Sequence, residues 1–92
     1  MGEDKKRLQH RKAELEAIRR EYLSAAQEAH AKADQAARER NNPKDPTRAY
    51  EHAAACDRQA DAARRDAKRS TDEAEKTLVA IRGLERQLSE YR

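Results

Sequence analysis

The chain lacks most of the side chains from which a compact globular core is built. Its 92 residues include six Leu, two Ile and one Val, and neither Phe nor Trp occurs. Two Gly and two Pro are too few for a fold of short strands joined by turns. A chain this poor in large apolar residues is often disordered, but disorder also requires a high net charge. Here 21 basic residues against 18 acidic ones leave only +3.

Cysteine and long apolar runs are scarce as well. The single cysteine, Cys56, excludes an intrachain disulfide framework and fits a reducing compartment. No window approaches the roughly 18 apolar residues that a membrane span needs. The first seven residues are mostly charged, so we expect no cleavable secretory signal. The expected location is the cytoplasm, with signal-independent export as the alternative.

Strong helix formers make up most of what is present: Ala, Glu, Lys, Arg and Gln. The one clear interruption is Asn41–Thr47. Asn tolerates the left-handed conformation that ends a helix, and Pro43 cannot continue one. Asp45 is a favourable N-cap, with Pro46 at the first helical position. The sequence therefore predicts an all-α, antiparallel two-helix hairpin forming a single domain, residues 1–92, with helices at about 3–41 and 47–91 and a turn at about 42–46.

The second predicted helix carries a heptad repeat that contains no charged residue. Its twelve positions are Ala53, Cys56, Ala60, Ala63, Ala67, Ser70, Ala74, Thr77, Ile81, Leu84, Leu88 and Tyr91. In a chain that is 42% charged, this pattern is typical of a coiled coil. The first helix has a looser stripe of Leu8, Leu15, Ile18, Tyr22, Ala25 or Ala26, Ala29, Ala33 and Ala36. Together they predict a coiled-coil-like seam rich in alanine.

The side chains of the predicted seam are small near the turn and larger at the open end of the hairpin. Two helices that share an alanine stripe bury too little apolar area to offset the entropy of ordering the whole chain. We therefore expect self-association, or docking on the helices of another protein, to complete a helical bundle. The expected interaction residues are Leu8, Leu15, Ile18, Tyr22, Leu78, Ile81, Leu84, Leu88 and Tyr91.

Charged residues are expected to form a solvated exterior. Six acid-to-base pairs have the favourable four-residue spacing: Glu3–Arg7, Glu16–Arg20, Glu28–Lys32, Asp34–Arg38, Asp61–Arg65 and Asp72–Lys76. Basic clusters at 5–12 and 64–69 are the candidate contacts for nucleic acid. Because acidic residues are interleaved and stacking aromatics are few, a nucleic-acid partner is not expected, and weak nucleic-acid binding is the second alternative function.

Candidate chemical sites are sparse. His52 and Cys56 are four residues apart and could present two metal ligands, with His30 as a third from the other helix. Neither a CxxC nor an HExxH pattern supports a metal, so we interpret Cys56 as a small buried apolar residue. The sequence also lacks a glycine-rich phosphate loop and a nucleophilic triad. We expect a non-enzymatic protein with no cofactor and no small-molecule substrate.

The turn resembles a known family. Asn42-Pro43-Lys44-Asp45-Pro46, with Tyr50 shortly after, is similar to the Pro-x-x-Pro turn of type III secretion needle subunits. The length and hairpin plan also resemble those of the WXG100 proteins of type VII secretion, although this chain lacks the Trp of their turn. These resemblances imply the first alternative function, a component or substrate of a secretion apparatus.

Overall fold

The computed structural model describes residues 2–91, and the expected domain's terminal residues, Met1 and Arg92, lie outside that range. Helix α1 spans Gly2–Glu39, a short 3₁₀-helix spans Pro46–Arg48, and helix α2 spans Ala49–Ser89. The two long helices pack against each other, and no strand occurs within the described residues. The predicted all-α helical hairpin is confirmed. Each helix ends two residues earlier than expected.

Asp45 organises the connection between the helices. Its Oδ1 accepts hydrogen bonds from the Thr47 hydroxyl at 2.7 Å and from the Thr47 backbone N–H at 3.0 Å. Its extended backbone and the following Pro46 begin the 3₁₀-helix, which leads directly into α2. Both hydrogen bonds lower the pKa of the Asp45 carboxyl below its usual value, and the bond from the Thr47 hydroxyl has the larger effect. The predicted N-cap is therefore confirmed, four residues before the first residue of α2.

The carboxyl end of α1 is tied to the start of α2. His52 Nε2 lies 2.6 Å from the carbonyl oxygen of Glu39, the last residue of α1. A carbonyl only accepts, so this ring nitrogen is the donor. The Arg40 Nε donates to Asp57 Oδ1 at 2.8 Å. The Glu39 carbonyl also accepts from the Asn42 backbone N–H at 2.9 Å, so His52 is its second donor. The bond between Arg40 and Asp57 adds another link between the two helices next to it.

The chain forms two packed units. The turn unit is Ala25–Ser70, and every buried side chain in it is small: Ala26, Ala29, Ala33, Ala36, Cys56, Ala60, Ala63 and Ala67. Ala26 rather than Ala25 occupies the stripe of α1, since Ala25 is exposed. Such short side chains let helix backbones approach closely, and the contact is then made by many weak dispersion interactions.

The open-end unit consists of the described residues up to Ser24 together with those from Thr71 onwards. Ala74 and Ile81 are buried there. The remaining heptad positions of α2 in this unit are half-buried: Thr77, Leu84, Leu88 and Tyr91. None of the heptad positions of α2 is exposed to solvent in either unit. The uncharged repeat therefore marks the packed face of α2, as its period predicts.

Replacing Asp45 by Ala should lower the melting temperature at neutral pH, because both bonds to Thr47 are lost. The folded-state pKa of Asp45 is depressed, so its contribution is fully present above the unfolded pKa of about 3.9 and is lost as pH falls through the lower folded value. The melting difference between wild type and Asp45→Ala should therefore narrow below about pH 4. Asp45→Asn is the control, since Asn also caps helices well. A difference that stays constant down to pH 2 contradicts this assignment.

Enlarging a buried alanine should force the helices of the turn unit apart. Ala67 is only 1% exposed, so Ala67→Leu should reduce the free energy of unfolding by about 1–3 kcal/mol. Ala62, on the same helix, is exposed and gives the matched control Ala62→Leu, which should be nearly neutral. Urea denaturation followed by circular dichroism measures both. Equal effects of the two substitutions would show that close approach at Ala67 is not required.

Candidate interaction site at the open end

The structure places all nine predicted interaction residues in the open-end unit. Eight of them are half-buried: Leu8, Leu15, Ile18 and Tyr22 on α1, Leu78, Leu84 and Leu88 on α2, and Tyr91 just beyond the end of α2. Ile81 differs, because it is only 4% exposed. Packing within the unit already covers Ile81, so this residue supports the hairpin. The other eight residues keep part of their surface exposed.

Partial burial follows from the geometry of two helices. A neighbouring helix covers one side of a leucine, and a third or fourth helix is needed to enclose the rest. None of the larger described side chains is fully buried. Each square ångström of apolar surface left in water forgoes roughly 25 cal/mol. The two helices of the open-end unit therefore leave part of the apolar surface of these side chains in water.

Two further apolar residues of this unit were not predicted as part of the site. Val79 is 67% exposed on α2 and lies outside the heptad series, next to a shallow hollow that it lines with Arg82, Glu85, Arg86 and Ser89. Leu23 is 37% exposed and directly follows Tyr22. A search for one periodic stripe omits residues that flank it. The available signal was their type, since large aliphatic residues are rare throughout this chain.

Two basic residues are inserted into the apolar stripe of α1. Lys12 and Arg19 are half-buried and alternate with Leu15 and Tyr22 at steps of three and four residues. Lys12 Nζ lies 3.9 Å from Glu16 Oε1. The Arg19 Nε is buried and has no hydrogen-bond partner, which costs free energy because the group has lost its water. Reading only the apolar members of the stripe misses both residues.

A shallow cleft of about 580 Å³ lies where the described chain ends of this unit meet. Leu8 and Tyr91 provide its apolar surface, and the other lining residues are Asp4, Arg7, Gln87 and Glu90. An apolar centre with a polar, two-signed rim is the usual composition of a protein–protein contact.

The predicted pair of metal ligands is engaged in other contacts. His52 Nε2 faces the Glu39 carbonyl oxygen, and the Sγ of buried Cys56 lies 3.6 Å from the same nitrogen. His30 is exposed. Within residues 2–91, no three His, Cys, Asp or Glu side chains are grouped closely enough to hold a metal ion. Neither helix has a stretch that is apolar enough to cross a membrane, over the part of the chain described.

Surface ion pairs differ from those expected. Among residues 2–91, Glu16 pairs with Lys12, Asp61 pairs with Arg64 at 3.2 Å, and none of the six expected pairs is formed. Residues three and four apart on a helix are both neighbours, so one carboxylate has several partners of similar energy. The prediction that charged residues form ion pairs on a solvated exterior was correct, and the predicted partner of each residue was wrong.

Comparisons with known protein families, with curated proteins and with solved structures found no match to this chain.

Replacing Arg19 by Leu should stabilise the protein, because it removes a buried, unpaired nitrogen and adds apolar surface to the seam. We expect the free energy of unfolding to rise by about 1 kcal/mol. Arg20 is exposed, so Arg20→Leu is the matched control and should change stability little. Urea denaturation of the three proteins at one concentration measures the difference. Destabilisation by Arg19→Leu would instead show that the guanidinium has a stabilising partner in solution.

Proposed function

We propose that this chain is a non-enzymatic helical interaction module that associates with itself through the open-end unit. The observation that carries the proposal is the mismatch between composition and burial there. Nine large side chains gather in this unit, yet only Ile81 among them is buried. A second copy would cover the half of each side chain that the hairpin leaves in water, giving a coiled-coil-like helical bundle.

The energetics favour association at this unit rather than at the turn unit. Complete burial of a Leu or Ile side chain contributes about 1.5–3 kcal/mol relative to exposure. Eight half-buried residues together therefore retain several kcal/mol that association can recover. The turn unit offers no comparable gain, because its seam is built from alanine and one cysteine that are already buried.

The rim of the open-end cleft supports a second copy as the partner. Asp4 and Glu90 lie beside Arg7 in the same cleft, so one copy presents both charge signs. A twofold arrangement brings identical surfaces together, and such a mixed rim can pair with itself. Helices of another protein are the alternative occupant. The reduced thiol of Cys56 fits the cytoplasm, where we place this association.

A secretion component or substrate is the second candidate, and the exposure of Tyr50 favours it. This tyrosine is 88% exposed just after the turn whose sequence resembles that of needle subunits. An aromatic side chain fully in water is a natural contact for a partner. Under this proposal, copies would add head to tail and form assemblies that grow with concentration, and Tyr50→Ala would stop the growth. The self-associating module instead gives one closed species.

Shortening two half-buried leucines should dissociate the module. We expect Leu84→Ala with Leu88→Ala to convert a dimer or larger species into monomer and to lower the melting temperature. Light scattering over a tenfold dilution series, at low and high salt, measures the mass. Gln59→Ala is the control: Gln59 lies on the same helix but is exposed in the turn unit, so its truncation should leave the mass unchanged.

Two results would contradict this proposal. Wild-type protein that stays monomeric over the whole series would exclude self-association and leave docking on another helical protein. A Leu84→Ala, Leu88→Ala variant that keeps the wild-type mass would show that the copies meet elsewhere. Far-UV circular dichroism at low temperature separates loss of association from loss of folding, because a folded monomer retains its helical signal.

A further inference from the structure

The outer face of α2 in the turn unit carries a row of arginines. Arg58, Arg65 and Arg69 are all exposed. Steps of seven and four residues place them on one side of the helix. The buried residues of the same segment, Cys56, Ala60, Ala63 and Ala67, lie on the other side. We call Arg58, Arg65 and Arg69 the arginine stripe.

Two of the carboxylates near this stripe are bound to arginines outside it. Asp57 is engaged by Arg40 of α1 at 2.8 Å, and Asp61 is engaged by Arg64 at 3.2 Å. Arg65, which the four-residue spacing had assigned to Asp61, is thereby left without a carboxylate. Among the described residues, none of the three stripe arginines forms an ion pair. Their guanidinium groups face water with their hydrogen-bond donors available.

The stripe lies in one of the two basic segments of the chain, the other being residues 5–12. Residues 58–69 contain five basic and two acidic side chains, a surplus of three that equals the formal net charge of the whole protein. Arg64 and Lys68 flank the stripe and are exposed. Although the protein as a whole is nearly balanced, residues 58–69 have a local positive surplus that would attract a polyanion.

The shape and chemistry of the stripe favour nucleic acid over a lipid surface. At 1.5 Å per residue the three arginines span about 16 Å along a continuous helix, which is about five nucleotide steps of one strand. The guanidinium group binds phosphate with two parallel hydrogen bonds. Residues 51–70 include no Leu, Ile, Val, Met or aromatic side chain. This segment therefore has nothing to insert into a bilayer, and nothing to stack on unpaired bases.

We propose that the arginine stripe binds the phosphate backbone of a nucleic-acid duplex without reading its sequence. The proposal is independent of the association at the open end, which uses residues of the other unit. It differs from the expectation based on sequence, which gave weight to the interleaved acids. The structure shows that Asp61, one of those acids, is paired with Arg64, and that Asp57 next to the stripe is paired with Arg40.

Three phosphate contacts set the expected salt dependence. Neutralising three phosphates of a duplex gives a slope of about −2.7 for the logarithm of the binding constant against that of the salt concentration. Affinity should then fall about 40-fold between about 50 and 200 mM salt. The dissociation constant at physiological salt should lie in the non-specific range of about 10⁻⁴–10⁻⁶ M. Two unrelated duplex sequences should bind equally well.

The test measures fluorescence anisotropy with labelled duplexes of about 24 base pairs, one DNA and one RNA of the same sequence, over a salt series. The variant R58Q/R65Q/R69Q should bind at least about tenfold more weakly at low salt, with a slope near zero, because all three phosphate contacts are lost. The variant R38Q/R82Q/R86Q is the matched control: it loses the same formal charge from exposed arginines outside the stripe, and it should bind almost as wild type does. Gln is a good helix former, so both variants should keep the wild-type circular dichroism spectrum.

Three outcomes would overturn the proposal. The first is that wild-type protein binds neither duplex at low salt. The second is that the control variant loses as much affinity as the stripe variant, which would show a response to total charge alone. The third is that vesicles containing phosphatidylserine bind more tightly than either duplex and that the stripe variant abolishes this binding, which would assign the arginines to a membrane surface.

Discussion

Close contact between alanine side chains is the constraint on which this molecule depends. In the turn unit every buried side chain is alanine or cysteine, and Ala67 is only 1% exposed. Such a seam gains little from apolar burial, so its geometry must be set by other bonds. Asp45 holds the connection, and His52 and Arg40 tie the end of α1 to α2. The hydrogen bonds at the turn and the alanine seam therefore set the geometry of the turn unit together.

The same constraint explains why one unit is complete and the other is not. Two helices can enclose a methyl group between them, but they cover only one side of a leucine. Alanine positions are consequently buried in the turn unit, whereas Leu84 and Leu88 stay half-buried in the open-end unit. Nearly all of the few large apolar residues of the chain lie where two helices cannot bury them, and this placement is the physical basis of the proposed association.

Charge is the second organising feature. Its effect depends on which acidic and basic side chains pair, more than on how many of each the chain contains. The basic and acidic totals are close, yet Asp57 and Asp61 bind arginines off the outer face of α2 and leave Arg58, Arg65 and Arg69 unpaired. A carboxylate on a helix has neighbours at three and four residues and, near a partner helix, across the seam as well. These options differ little in energy, so sequence spacing could not select among them.

The sequence by itself determined the two helices, the capped turn at Asp45 and the uncharged face of α2, because each depends on local rules of helix periodicity and capping. It also located the apolar residues of the candidate site. Only the tertiary structure decided that Ile81 is buried while its neighbours keep exposed surface, that the Arg19 Nε lacks a partner, and that Arg40 reaches Asp57. Those outcomes depend on how deeply one helix covers the other and on which side chains meet across the seam. No spacing along a single helix contains that information.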